Sequence, residues 1–112
     1  MIQLKTIQYI DTDDVEAIIG CNWNECEFAQ MAENDSYARL DCSDGALEEL
    51  YADLSWEIRK GNEPQRDWYE DESEYLWKLR HCRANRLRKQ IKLVEELRAQ
   101  GVRSEILIWI CW

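Results

Sequence analysis

Cys21 and Cys26, with Cys42, His81 and Cys82 farther along, are the residues of this chain best suited to ligating a metal. A structural zinc site draws its four ligands from tight cysteine pairs on knuckle turns. The pair here is loose, and Cys26 and Cys42 alternate with polar neighbours as buried strand residues do. The five cysteines, which include Cys111, are therefore read as reduced thiols, mostly buried, with no metal and no cofactor. General acid–base chemistry has a single histidine available, His81. No Ser or Cys sits in a recognisable nucleophile turn, and no Gly-rich loop follows a strand. Carboxylates abound, but acid–base work needs a pair perturbed in a shared cleft. The expectation is a protein that is not an enzyme.

Those carboxylates are the strongest chemical signal. Asp and Glu supply 23 of 112 residues against 14 Lys and Arg, a net charge of −9. The charge is uneven: residues 1–60 carry −10, residues 61–77 carry −5, and residues 78–112 carry +6. An acidic body of this kind repels nucleic acid and acidic membrane surfaces and attracts basic partners at long range. Aromatic residues stand among the acids: Trp23, Trp56, Trp68 and Tyr69 fall in expected loops or on a polar helix face. Trp and Tyr are enriched at binding hot spots, and an acidic rim around them suits a protein interface. The candidate contact residues are Trp23, Glu25, Glu27, Asp41, Glu49, Asp53, Trp56, Glu57, Trp68, Tyr69 and Asp71. Rows of carboxylates at helix and strand spacing can present charge to a basic groove as a nucleic-acid decoy does. The expected partner is thus a protein with a basic surface, with no direct nucleic acid and no membrane; a homodimer remains open.

The rival reading uses the basic stretch Arg80, Arg83, Arg86, Arg88, Lys89 and Lys92, which could track a phosphate backbone from a helix over residues 72–100. Arg83, however, falls inside the apolar stripe of that helix, beside Leu79 and Leu87. It is expected to pair with a buried or half-buried carboxylate or to lie along the core by its stem. Arg88, Lys89 and Lys92 lie outside the stripe and could answer the acids of a hairpin over residues 25–42 and of a helix over residues 44–60.

In composition the chain resembles small, compact, acidic, motif-free virus-encoded inhibitors of host defence, such as anti-CRISPR and anti-restriction proteins. The resemblance implies occupation of a basic, nucleic-acid-binding site on a partner protein. It covers no alignable motif and transfers no residue.

Positioning these residues falls to one domain over residues 1–112, long enough to bury roughly two-thirds of its unfolded surface. No run approaches the ~18 apolar residues of a membrane span, and residues 1–5 lack a signal-peptide pattern, so a cytoplasmic location is expected. Residues 2–10 read as a strand whose alternation slips midway. Asp11 to Asp14 cap a short helix that Gly20 ends. Residues 25–31 and 36–42 alternate as a hairpin. Ser43 and Asp44 start a helix running to about Lys60, with Leu47, Leu50, Tyr51, Leu54 and Ile58 in one arc and Trp56 outside it. Residues 61–70 form a loop around Pro64. Residues 72–100 predict one long helix, uninterrupted until Gly101, with Leu76, Leu79, Leu87, Ile91, Val94 and Leu97 as its stripe. Residues 104–112 are apolar on both faces, as in a central strand. The expected fold is α+β in the order β-α-β-β-α-α-β. Its sheet of about four strands carries two longer helices on one face and the C-terminal strand at its centre.

Overall fold

The computed structural model describes residues 9–31, without the Met31 side chain, and residues 36–110. Most of the strand expected over residues 2–10, and the last two residues of the strand expected at the C-terminus, lie outside them. Within them the chain runs β1 (Tyr9–Asp11), α1 (Thr12–Ile19), two 3₁₀ turns (Trp23–Glu25 and Glu27–Met31) and β2 (Tyr37–Asp41). There follow α2 (Asp44–Arg59), a 3₁₀ turn (Arg66–Trp68), α3 (Glu72–His81), α4 (Arg83–Ala99) and β3 (Glu105–Trp109). The fold is α+β, and among the described residues its sheet is mixed and three-stranded, against the sheet of about four strands expected.

β3 lies between the other two strands, parallel to β1 and antiparallel to β2. Ile108 stands between Ile10 and Ala38, and Ile106 opposite Leu40, and all five side chains are buried. That face meets Val15 and Ile19 of α1, Leu93, Val94 and Leu97 of α4, and the flank of α2 through Leu47 and Leu50. β3 is central, but it is not buried on both sides. Leu107 is half-buried, and Trp109, on the other face, is 43% exposed and meets Tyr37 edge-on at 6.0 Å. The helices cover one side of the sheet, so the apolar residues of β3's second face pack laterally along the strands.

The hairpin expected over residues 25–42 has lost its first strand. The Asn22 side chain accepts from the Asn24 backbone and starts a turn, and the Phe28 N–H is satisfied at 2.6 Å by Gln90 Oε1 of α4. With turn and side-chain acceptors holding these backbone groups, the segment needs no strand ladder. Cys26 and Phe28 are buried in the core nonetheless.

The expected 72–100 helix is two helices. Cys82 takes extended backbone angles, φ −69° and ψ 157°. The carbonyls that α3 would otherwise leave bare are met by side chains just beyond it. Cys82 Sγ donates to the Leu79 carbonyl at 3.1 Å, Asn85 Nδ2 to that of Arg80 at 2.7 Å, and Arg86 Nη1 to that of His81 at 2.6 Å. Side chains thus do what Gly or Pro usually does at a helix end. After the break, α4 buries Ala84, Leu87, Ile91, Leu93, Val94 and Leu97, whereas α3 buries no residue and rests chiefly on α4 and the preceding turn. Leu76, expected in the buried stripe, is 53% exposed.

α1 and α2 follow their sequence signals. Asp11 and Asp14 form a reciprocal capping box, Gly20 ends α1 at φ 77°, and the Ser43 hydroxyl accepts from the Ala46 N–H. The α2 arc is rotated from expectation: Tyr51 and Ile58 are 46% and 49% exposed, while Glu57 is buried. α2 packs against α4, and α4 offers it a guanidinium at that level.

Candidate protein-binding site

The acids singled out from sequence divide into two groups with different chemistry. Glu27, Asp53 and Glu57 converge on Arg83 at the start of α4. Arg83 lies 2.8 Å from Glu57, 3.3 Å from Glu27 and 3.6 Å from Asp53. Arg86 adds a second cation 3.3 Å from Glu27, and Asn62 donates to Glu57 Oε2 at 2.9 Å. The hydrogen bond from Arg83, then that from Asn62, hold the Glu57 carboxyl below its ordinary value. The same bond to Glu57 raises the pKa of Arg83. This cluster joins α2, α4 and the second 3₁₀ turn, and its charges are spent on one another. Arg83 therefore has the carboxylate partners expected of it; Arg88 pairs instead with Glu63 of the loop after α2, 2.7 Å away. Glu57 is buried and Glu27 nearly so, which removes both from the accessible surface.

Glu25 is also buried, at the end of the first 3₁₀ turn. Trp23 stacks on Phe28 at 6.2 Å and packs against the core, and its backbone N–H donates to Glu16 at 2.9 Å. These two candidates support the fold. Asp41 is exposed at the end of β2, where it accepts from the Ser43 N–H at 2.9 Å.

The second group lies along α2. Glu49, Asp53, Trp56 and Lys60 recur at i, i+4, i+7 and i+11, the spacing of one helix flank. Glu49 is exposed and Trp56 is 46% exposed, with the Lys60 ammonium 5.8 Å from its ring centre. Asp44 and Glu48 continue the exposed acids toward the start of the helix. Arg98 pairs with Asp44. Glu48 and Glu49 have no ion-pair partner among the described residues. The result is a helix flank with carboxylates along its first three turns and an exposed indole near its C-terminal end.

Trp68, Tyr69 and Asp71 sit apart from that flank, at the entry to α3. Trp68 is 60% exposed; Tyr69 is half-buried, 6.0 Å from Tyr75; Asp71 caps α3 by accepting from the Ser73 N–H. The sequence reading passed over Trp77, which is 52% exposed on α3 and 4.5 Å from His81. Trp77 lies outside the apolar stripe of a continuous 72–100 helix; the side-chain donors Cys82, Asn85 and Arg86 that follow it are the signal of the helix break.

His81 and Cys82 border a cleft of 380 Å³ with Pro64, Trp77, Lys78 and Arg86. The Cys82 thiol is engaged there as a helix-end donor. The buried thiols of Cys26 and Cys42 are each pushed up to about 12, chiefly by loss of solvent. Among the described residues, no three His, Cys, Asp or Glu side chains gather as metal ligands would, and no helix is long and apolar enough to cross a membrane. No family model, no curated protein and no solved structure matches this chain.

Proposed function

We propose that the protein is a non-enzymatic binding module whose α2 flank occupies a basic surface on a partner protein. Inhibition of a nucleic-acid-handling enzyme of host defence, by covering its nucleic-acid-binding site, is the form of this activity that the acidity favours. The observation that carries the reading is the set Glu48, Glu49 and Trp56: two exposed carboxylates with no ion-pair partner among the described residues, on the same helix as an exposed indole. Acids of this kind accelerate encounter with a basic surface, and a desolvated Trp slows escape. The basic helix supports the rival, nucleic-acid reading less well. Arg83, Arg86, Arg88 and Arg98 are all committed to carboxylates of the same chain.

The test is capture of the partner on immobilised protein, followed by two titrations, one with that partner and one with labelled DNA and RNA. Partner binding should weaken steeply with salt, because exposed charges are screened beyond about 8 Å at physiological ionic strength. Micromolar binding of nucleic acid that disappears when Lys89 and Lys92 are changed to Ala would move the function to α4.

A further inference from the structure

α3 is the one α-helix in the described residues that buries none of its side chains. It nonetheless carries Leu76 and Trp77, 53% and 52% exposed, at its middle. A short helix is marginal in water unless an apolar face is packed, and α3 presents its largest apolar side chains outward.

Its charges are arranged by halves. Glu72 and Glu74 follow the Asp71 cap, and Lys78, Arg80 and His81 occupy the last turn. The midpoint of Glu72–His81 falls between Leu76 and Trp77. A second copy of the helix, laid antiparallel across a two-fold axis at that point, would bring Leu76 against Trp77 and Ser73 against Arg80, with Glu72 beside the same Arg80. Glu72, Ser73, Leu76, Trp77 and Arg80 share one side of the helical wheel, so these pairings fall on one face. A symmetric interface must be complementary to itself, and a helix acidic in one half and basic in the other meets that condition only when antiparallel.

We infer that α3 is a homodimerisation helix, pairing antiparallel with α3 of a second copy of this chain through Leu76 and Trp77. This surface is separate from the α2 flank and does not depend on what that flank binds. A ten-residue helix is about 15 Å long, and standard interfaces bury ~800 Å² a side. The dimer is accordingly expected to be weak, with a dissociation constant in the micromolar range.

Sedimentation equilibrium of the full chain, from about 1 to about 200 µM, reads the association directly. The average mass should climb from the monomer value of 13.4 kDa toward twice that. Leu76→Glu with Trp77→Glu should hold it at the monomer value while circular dichroism stays unchanged, because both positions are exposed. Charge reversal tests the pairing geometry. A chain with Glu72→Lys should be monomeric, as should one with Arg80→Glu. Mixing the two should restore a dimer, seen as a mixed species by native mass spectrometry. A wild type monomeric throughout the range overturns the inference. So does a dimer indifferent to the Leu76 and Trp77 changes, or failure of the two reversed chains to pair.

Discussion

Arg83 Nη1 donates to Glu57 Oε1 at 2.8 Å, joining a half-exposed guanidinium on α4 to a carboxylate on α2 that is only 5% exposed. The bond ties the two longest helices at the point where α4 begins. Removing either member leaves the other charged and poorly solvated, which costs more than the pair contributes when intact.

Arg83→Ala should therefore destabilise the fold by about 1–3 kcal/mol, below the figure for a fully buried pair because Arg83 keeps part of its solvation. Arg88→Ala, which breaks a more exposed pair with Glu63, should cost less than about 1 kcal/mol. Urea unfolding midpoints of the two variants check the order. Equal midpoints would place Arg83 among ordinary surface residues.

The same bond makes stability depend on pH. The folded carboxyl of Glu57 titrates below its ordinary value near 4.5. Its contribution is thus complete above that value and is lost as pH falls toward and through the lower folded one. Glu57→Gln should flatten the fall in unfolding free energy between about pH 5 and pH 3 relative to wild type. An unchanged slope would mean that other acids dominate acid unfolding.

Cysteine reactivity should separate by burial. Cys26 and Cys42 are held as thiols by desolvation, so at pH 8 a thiol reagent should label them only as fast as the core opens. Half-buried Cys21 and Cys82 should react before these two. Peptide mapping over a labelling time course reads this order, and prompt modification of Cys42 would contradict its packing.

Charge and aromatic contact on α2 should act on different rates. Glu48→Lys with Glu49→Lys should slow association with the captured partner about tenfold or more at low salt. Trp56→Ala should instead speed dissociation, by about tenfold if the indole is a central anchor. Glu48 and Glu49 suit this test better than Asp53, whose carboxylate also faces Arg83. Surface plasmon resonance with the captured partner separates the two rates; a Trp56 change that leaves dissociation alone removes it from the interface.

Hydrogen exchange should divide the expected single helix in two. Amides of α3, with no buried side chain, should exchange by local opening, far faster than those around Leu93, Val94 and Leu97 of α4. Protection of α3 that grows with protein concentration would report the pairing of its apolar face. Equal protection of the two helices would mean that Cys82 does not break them in solution.

Local signals were legible wherever one residue decides an outcome. Asp11 and Ser43 start helices, Gly20 stops one, and Arg83 within an apolar stripe announces a carboxylate. What could not be read depends on partners distant in sequence. Phe28 takes its backbone acceptor from Gln90, so period-two alternation around it does not make a strand. The end of α3 is set by Cys82, Asn85 and Arg86 acting together, none of which is a helix terminator alone. Glu57 reads as a surface acid from its own stretch of sequence, because its burial depends on Arg83, 26 residues away. The candidate site was legible as a class of residues, and only packing separated Glu49 and Trp56 from the acids consumed inside.

β3 comes last of the three strands along the chain, yet it is the one both others pair with. During synthesis β1 and β2 leave the ribosome with Ile10, Ala38 and Leu40 lacking the neighbour they pair with among the described residues, which residues 105–109 supply only about 65 residues after β2. Helices α1 and α2, with their own caps, can form early; the sheet cannot. Its closure joins Tyr9 to Leu107 across almost the whole described chain, a contact of the kind that slows folding. Until residues 105–109 emerge, the nascent chain therefore carries two strands without the partner they pair with, an aggregation-prone state. A chain cut short before Glu105 should keep that exposure, becoming a substrate for chaperones and proteases with much of its helix intact.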